Sequence, residues 1–443
     1  MSSWNPKSSS PIPNNHAVNH STLSIYQTQS KRQVRLDDIT VADYTIGWIA
    51  ALPLEQKAAE LVFNHDYRIL TQVPPGDTNR YTLGVIGDHK IVLAVMPDGQ
   101  YGKSSASSVA THMLRTFTNV RVGFMVGVGG GAPSKTNDIR LGDIVVSRKG
   151  DGKGGVFEFD YFKKHQAKPN QNTSHLNSTP SFVMSTIAGL KADHIGQQDA
   201  INEEIEDILT HPRIPQELRR DFERPSEEDD MLFRSNVVHN VGRALNLQSV
   251  LGANISLLAV IMLAVSCVVV VPPLVTMLAS LCLAFGAGTF VNGINIEGCE
   301  HIFHRSTRAD EELPSDEICQ RFCRVSWPNA LVPRQARNPS RAPKIHYGLI
   351  GSSDQLMKDA VLRDELATDH NILCFEMEAA GLMDKFPCLV IRGICDYSDS
   401  HKNKGWQNYA ALAAALYTRA VIRSLPVQQI SKERRLADIM GRG

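Results

Sequence analysis

Two glutamates near the carboxyl end of the chain stand out because they lie in an otherwise apolar stretch. Glu376 and Glu378 are two positions apart within residues 374–380, so an extended segment would present both on one face. An unpaired charge is not tolerated inside a core, and these acids therefore need solvent, a partner or a ligand. The spacing indicates either a ligand site or two acids at a helix N-terminus that the helix dipole stabilises.

A third carboxylate, Asp396, ends another apolar stretch. Residues 389–391 are Leu, Val and Ile, which predicts a short buried strand with Asp396 near its carboxyl end. Ligands of open α/β sheets bind beyond the carboxyl ends of the strands. Asp396 is therefore a candidate for chemistry.

Two features earlier in the chain have a similar setting. Glu55 follows a predicted strand at residues 44–50 and opens a predicted helix, and the glycine-rich run 127–131 follows a predicted strand at 122–126. Such a run lets the backbone approach a ligand closely, although it matches neither a Walker loop nor a dinucleotide fingerprint. The alternatives are a surface acid favoured by the helix dipole and a tight turn without a ligand.

These features occur together with two longer motifs. MEAAG at residues 377–381 and RGICDYSDSHKNKGWQNYAA at 392–411 resemble the nucleoside phosphorylase and nucleosidase superfamily. The resemblance is notable for 5′-methylthioadenosine/S-adenosylhomocysteine nucleosidases and for fungal nucleoside phosphorylase domains, and it extends from about residue 44 to about residue 425. It implies an α/β fold with a three-layer mixed sheet flanked by helices. The implied reaction is cleavage of the N-glycosidic bond of a purine nucleoside or a derivative.

The resemblance also implies roles for individual residues. Asp396 would protonate the departing base, and Glu55 would direct the attacking water. Glu378 would hold the ribose hydroxyls with Glu376 in support. The remaining substrate-binding positions that it implies are Met377, Gly127, Val128, Gly129, Leu356 and Met357.

This chain departs from the resembled nucleosidase at two of those positions. Val128 replaces a serine of the glycine-rich segment, and Leu356 replaces an aromatic residue that stacks on the purine. Core packing is the alternative explanation for Leu356 and Met357. Phosphorylases of this fold carry glycine and arginine where this chain has Glu55, and a carboxylate there repels phosphate but polarises water. We therefore expect hydrolysis, with no cofactor and no metal; a phosphorylase and an inactive nucleoside-sensing or signalling module are the alternatives.

Composition limits the setting in which this domain works. Lys plus Arg number 46 and Asp plus Glu also number 46, so no net field favours nucleic acid. The eight cysteines follow no secreted pattern, and the N-terminus lacks a signal peptide pattern. We predict a cytoplasmic homo-oligomer with a disordered segment at 1–40, a catalytic domain at 41–427 and a flexible basic tail at 428–443.

One block interrupts the catalytic domain. Residues 244–296 contain no charged side chain, and 251–271 and 274–291 each have nearly the length of a membrane span. We predict that the insertion 241–310 holds a transmembrane hairpin that tethers the enzyme; a buried oligomer contact and a translated intron are the alternatives. A zinc site is less favoured than a loose loop for the residues that follow, which are Cys299, His301, His304, Cys319 and Cys323.

Overall fold

The structure is a computed structural model, and it describes residues 32–64, 67–150, 152–163, 171–172, 176–193, 200–212, 214–238, 329–337, 342–402 and 404–440. The strands are β1 (Arg32–Val34), β2 (Ile46–Ala50), β3 (Arg68–Leu70), β4 (Tyr81–Ile86), β5 (His89–Val95), β6 (Val122–Gly131), β7 (Ile144–Ser147), β8 (Val156–Glu158), β9 (Phe162–Lys163), β10 (Gln171–Asn172), β11 (Ile345–Ser352), β12 (Ile372–Glu376) and β13 (Cys388–Asp396). The helices are α1 (Pro53–Leu61), α2 (Lys103–Thr116), α3 (Ser181–Asp193), α4 (Ala200–Thr210), α5 (Gln216–Phe222), α6 (Ala360–His370), α7 (Ala379–Met383), α8 (Gln407–Ser424), α9 (Val427–Lys432) and α10 (Leu436–Met440).

A mixed sheet of 11 strands runs through the domain in the order β1-β3-β4-β5-β2-β6-β12-β11-β7-β13, with β8 paired to β11. Strand β6 also pairs with β13 in parallel, so β6, β12, β11, β7 and β13 close into a ring. The predicted mixed α/β sheet with flanking helices is confirmed. Since β6 takes part in three pairings, it joins the open part of the sheet to the ring.

Helix α8 packs closely against the ring because both partners have small residues. Its buried positions include a run of alanines, and a side chain at Gly393 of β13 would overlap the carbonyl oxygen of Ala410. Helix α1 and helices α3 to α5 also contact α8, whereas α7 and α10 contact α2. Strand β13 is buried along its whole length, as expected for a strand that is covered on both faces.

The ordered chain begins before the predicted boundary at residue 41. Strand β1 lies within the segment predicted as disordered, and it pairs in parallel with β3. Val34, Leu36 and Ile39 pack against the main core, which gives this polar segment enough apolar contact to be ordered. The prediction of disorder was therefore wrong for residues 32–40.

The carboxyl end is also better ordered than predicted. Helices α9 and α10 occupy most of the segment predicted as a flexible tail, and Ile430 and Leu436 are buried in the main core. The backbone N–H of Leu436 donates to the carbonyl oxygen of Val120 at 2.8 Å. These two apolar anchors outweigh the basic character on which the prediction was based.

Residues 239–328 lie outside the described residues, and so do the predicted spans 251–271 and 274–291 and the cysteine and histidine group. Within the described part of the chain, no single helix has the length and apolar character to cross a membrane; the bent pair Gln407–Ser424 and Val427–Met440 meets these criteria only when taken together.

The two described ends of this interruption are held side by side. Phe233 and Leu331 form an antiparallel bridge, and the backbone N–H of Arg234 donates to the carbonyl oxygen of Ala330 at 2.9 Å. Phe233 and Ala330 are buried together in a small apolar cluster. The interruption therefore leaves and rejoins the domain at one place.

We expect that a short Gly/Ser linker can replace residues 239–328 without unfolding the domain, because the bridged ends need only a short closure. The variant should unfold in one cooperative transition in urea, as followed by circular dichroism. Carrying Phe233→Ala in the same variant should lower its stability, since this removes the apolar anchor of the bridge. A linker variant that fails to fold would contradict this account of the ends.

Candidate active site

The glycine-rich run, which was predicted to follow a strand ending at residue 126 and so to form a loop, is itself the end of strand β6, which continues to Gly131. A side chain at Gly127 would overlap the Glu55 carboxylate, and a Cβ at Gly130 would lie 2.6 Å from Oδ1 of Asp396. A Cβ at Gly129 would lie 3.0 Å from the carbonyl oxygen of Phe375. These glycines therefore serve close approach by two carboxylates and a neighbouring strand, and the prediction of a loop was wrong.

Glu55 is held by backbone donors at the start of α1. Its Oε1 accepts from the N–H of Val128 at 2.8 Å, and Oε2 accepts from the N–H groups of Ala51 at 2.7 Å and Leu52 at 3.0 Å. The side chain is buried, which raises the pKa of Glu55, while the charge of Arg392 and these hydrogen bonds oppose the rise. Glu55 is therefore a fixed internal carboxylate and not a surface acid.

Arg392 is the central cation of the site, and the sequence analysis did not select it. It lies in β13 with an exposure of 1 %, pairs with the Glu376 carboxylate, and places one nitrogen 3.3 Å from Oε2 of Glu378. Its other terminal nitrogen donates to the carbonyl oxygen of Val128 at 3.2 Å. The sequence feature that could have identified Arg392 is a single arginine within an apolar strand, since a buried charge needs a partner.

Glu376 occupies the helix N-terminal position that the sequence offered as one of its two interpretations. Its Oε2 accepts from the backbone N–H groups of Glu378 at 3.1 Å and Ala379 at 2.9 Å, which covers the N-terminus of α7. The same carboxylate is the main partner of Arg392. Glu376 is thus a structural link between the helix start and the guanidinium.

The buried cluster contains more carboxylates than cations. Glu55, Glu376 and Glu378 share Arg392, and none of the four residues exceeds an exposure of 6 %. Burial raises the pKa of Glu378 to about 7; Arg392 opposes this, and the charges of Glu376 and Glu55 add to it. Three carboxyl groups thus surround one cation, and a positively charged ligand would favour their ionised forms.

Asp396 lies at the other end of the glycine run. Its Oδ1 accepts from the backbone N–H of Ser398 at 2.8 Å, and Ser398 has a φ of 52°. Positive φ is unusual for a serine and is found at functional sites. The Oδ2 atom lies 2.9 Å from Nζ of Lys402 and 3.3 Å from Sγ of Cys395. Asp396 is thus a buried carboxylate with a donor on each oxygen.

The loop after Asp396 is fixed from several sides. The guanidinium of Arg363 donates to the carbonyl oxygen of Tyr397 at 2.7 Å, and the Asp399 carboxylate accepts from the N–H of His401 at 2.8 Å. Burial raises the pKa of Asp399 to about 6, against the hydrogen bond from His401 and the charge of Arg363. The ring of His401 stacks on Phe233 with centroids 3.8 Å apart.

The described ends of the interruption also bond to this loop. The Tyr397 hydroxyl binds the Asp230 carboxylate and accepts from Arg334 at 2.7 Å. Arg334 in turn pairs with Asp230 at 3.1 Å. The catalytic candidate Asp396 is therefore followed by a loop that rests on residues 230–233 and on Arg334.

The predicted purine-binding residues are less closely tied to the carboxylates. Met357 is buried in a small apolar cluster with Phe375, and Leu356 is 49 % exposed. The carbonyl oxygen of Met377 faces Gly102, where a Cβ would lie 4.0 Å away. Among the described residues, no group of three or more His, Cys, Asp or Glu side chains is arranged to hold a metal ion.

No family model matches the chain. The chain is 32 % identical over 401 residues to a nucleotide-binding leucine-rich repeat (NLR)-like protein of Hyaloscypha variabilis, a match that covers 90 % of this chain and 31 % of that protein. It is 36 % identical over 93 residues to the ATP nucleosidase Cap17 of Escherichia coli, which covers 20 % of this chain and 18 % of that enzyme. The chain thus spans less than a third of the length of either relative.

Two solved structures from Helicobacter pylori resemble the fold. The 5′-methylthioadenosine/S-adenosyl homocysteine nucleosidase matches with a TM-score of 0.42 and 14 % identity over 86 % of this chain and 98 % of that chain. The futalosine hydrolase matches with a TM-score of 0.42 and 14 % identity over 86 % of this chain and 99 % of that chain. Scores at this level leave the interpretation of the site to the geometry of this chain.

We expect Gly127→Ala to displace the Glu55 carboxylate, because a methyl group at this position overlaps it. Loss of the backbone donors of a buried carboxylate should lower the free energy of unfolding by about 1–3 kcal/mol. Gly189→Ala is the matched control, since that glycine lies in α3 with nothing within 4 Å of its added Cβ, and it should not destabilise the protein. Urea denaturation checks both; equal stabilities of the two variants would contradict the close contact.

We also expect a pH dependence of stability from Glu378. Its pKa of about 7 in the folded protein lies above its ordinary value, so the unfolded chain loses this proton first as pH rises. The free energy of unfolding should therefore fall between about pH 5 and pH 7, and less steeply in Glu378→Gln. Urea titrations at several pH values test this, with Glu365→Gln on the exposed side of α6 as the control. Parallel curves for wild type and Glu378→Gln would refute it.

Proposed function

We propose that this chain hydrolyses the N-glycosidic bond of a purine nucleoside or a nucleoside derivative. The observation that carries this proposal is the approach of two separate buried carboxylates, Glu55 and Asp396, to one strand end at Gly127 and Gly130. Hydrolysis of a glycosidic bond commonly uses two carboxyl groups, one that activates the attacking water and one that protonates the leaving group.

The reaction passes through a ribosyl centre with oxocarbenium character, which is positively charged. The buried carboxyl groups of Glu55, Glu376 and Glu378 suit that centre, because its positive charge favours their ionised forms and preorganised charges stabilise a transition state in a buried site. In this proposal Glu55 orients the water and takes its proton, and Glu378 binds the ribose hydroxyls. Asp396 delivers a proton to the departing base.

The same charge distribution favours water over phosphate as the nucleophile. Arg392 is already engaged by Glu376, Glu378 and the carbonyl oxygen of Val128. A phosphate ion beside Glu55 would meet further carboxylates and no uncommitted cation of this cluster. Phosphorolysis is therefore the second choice.

The two relatives support the proposal in different ways. The match to an ATP nucleosidase supports N-glycosidic cleavage and adds nucleotides to the substrates to be tested. The longer match to an NLR-like protein favours a second candidate, a nucleoside-sensing or signalling module that binds its ligand without cleaving it. We expect the intact geometry around Glu55 and Asp396 to be catalytic, which binding alone would not require.

We predict that the chain releases free base from at least one of adenosine, inosine, 5′-methylthioadenosine, AMP and ATP in phosphate-free buffer. The other product should be ribose or its 5′ derivative, as resolved by liquid chromatography. Asp396→Asn should lower turnover by about 10²–10⁴-fold, the usual contribution of a general acid, while the protein stays folded. Ribose 1-phosphate as the product, with a requirement for phosphate, would identify a phosphorylase; binding without turnover would identify the sensing module.

The membrane tether and the cytoplasmic homo-oligomer are proposals that rest on the sequence alone. A single crossing in 244–296 would separate Glu55 from Asp396, so a tether requires an even number of crossings. The side-by-side ends at Phe233 and Leu331 fit that requirement. The full chain should stay with membranes after a carbonate wash and the linker variant should be soluble; a fully soluble full chain would exclude the tether.

A further inference from the structure

Lys402 forms a close ion pair with Asp396. Its Nζ lies 2.9 Å from Oδ2 of Asp396, and the two side chains are 22 % and 3 % exposed. Lys402 is therefore the more exposed member of a close pair whose other member is buried. It lies in the loop that begins at Asp396, directly after His401, whose backbone N–H donates to the Asp399 carboxylate.

The surroundings of Asp396 consist of donors. Oδ1 receives the N–H of Ser398, and Oδ2 faces both the Lys402 ammonium and the thiol of Cys395. Burial raises the pKa of Cys395 well above its usual range, so this thiol keeps its proton and acts as a weak donor. Each oxygen of Asp396 thus faces at least one donor, which is the hydrogen-bonding pattern of a carboxylate that has no proton of its own. An ionised Asp396 has no proton of its own to give to a leaving base.

We propose that Lys402 is the source of the proton that Asp396 passes to the leaving base. This inference rests on the proposed hydrolase function. As the glycosidic C–N bond breaks, its electron pair stays on the base, whose nitrogen takes a proton from Asp396. Asp396 takes a proton from the Lys402 ammonium at Oδ2. Glu55 accepts a proton from the water that bonds to the sugar carbon, and solvent then restores Lys402 and deprotonates Glu55.

The charges around the pair are compatible with this relay. Burial lowers the pKa of Lys402, but the charge of Asp396, its hydrogen bond to the ammonium and the charge of Glu378 leave it raised, so Lys402 carries its proton at neutral pH. The negative charge of Asp396 raises the pKa of the neighbouring Asp399, and the charge of Glu55 raises the pKa of Cys395. Because Lys402 is partly exposed, the lysine can regain its proton from solvent.

Three variants of the full chain separate proton supply from charge and from structure. Lys402→Met removes the ammonium at similar length, and Lys402→Arg keeps the positive charge but does not release a proton in proteins. Lys404→Met is the control, because Lys404 is an exposed lysine close to the same loop. The substrate is whichever of adenosine, inosine, 5′-methylthioadenosine, AMP and ATP the wild type cleaves fastest. The readout is kcat and KM from pH 5 to pH 9, with circular dichroism as the check on folding.

We expect both Lys402 variants to lose about 10²–10⁴-fold in kcat at pH 7, with KM changed little, while Lys404→Met matches wild type. Lys402→Met should recover activity as pH falls, because Asp396 then takes its proton directly from solvent. Lys402→Arg should not recover, since the arginine keeps the carboxylate ionised. A folded Lys402→Met with wild-type or higher kcat at pH 7, or full rescue by arginine, would overturn the relay. A wild type that cleaves none of the five would refute the hydrolase proposal itself.

Discussion

The burial of Arg392 is the constraint on which the rest of the site depends. A guanidinium removed from water needs partners that compensate for lost hydration, and here two carboxylates and a carbonyl oxygen provide them. Removing one partner of such a group is costly, because the remaining charge stays buried. Arg392 therefore holds β13, β12 and the end of β6 in one arrangement. The same ion determines how much negative charge the ligand meets.

The glycines of β6 are the second half of this arrangement. A buried carboxylate can lie this close to the backbone of a strand only where the strand residue has no side chain. Gly127 meets this condition for Glu55, and Gly130 meets it for Asp396. The strand stays extended through these residues, so the pairing of β6 with β13 fixes the separation of the two acids. Rigid elements position catalytic groups more precisely than loops do. The site thus uses a sheet where a loop was expected.

The sequence was informative wherever a residue type had a local requirement. The apolar run before Asp396 and Pro53 before Glu55 each predicted a strand end or a helix start, and the structure has both. The sequence could not predict where β6 ends, because glycine runs suit turns and close approaches equally well. It also did not indicate the partner of Arg392, which comes from a different strand. The order of residues 32–40 and 427–440 depends on a few apolar anchors such as Val34 and Leu436. The average composition of these segments does not reveal such single residues.

The loop from Asp396 to Lys402 connects the site to the interruption of the domain. The Tyr397 hydroxyl is hydrogen-bonded to Asp230 and Arg334, and His401 stacks on Phe233. Residues that precede and follow the interruption at 239–328 therefore support the same loop. The partners of Arg392 belong instead to the sheet and to the start of α7, and the nearby Glu55 belongs to α1. A displacement of the bridged ends would therefore act on Asp396 and Lys402 before it reached Glu55 or Glu378. Proton delivery, and not sugar binding, is therefore the step of the proposed reaction that depends on Asp230, Phe233 and Arg334.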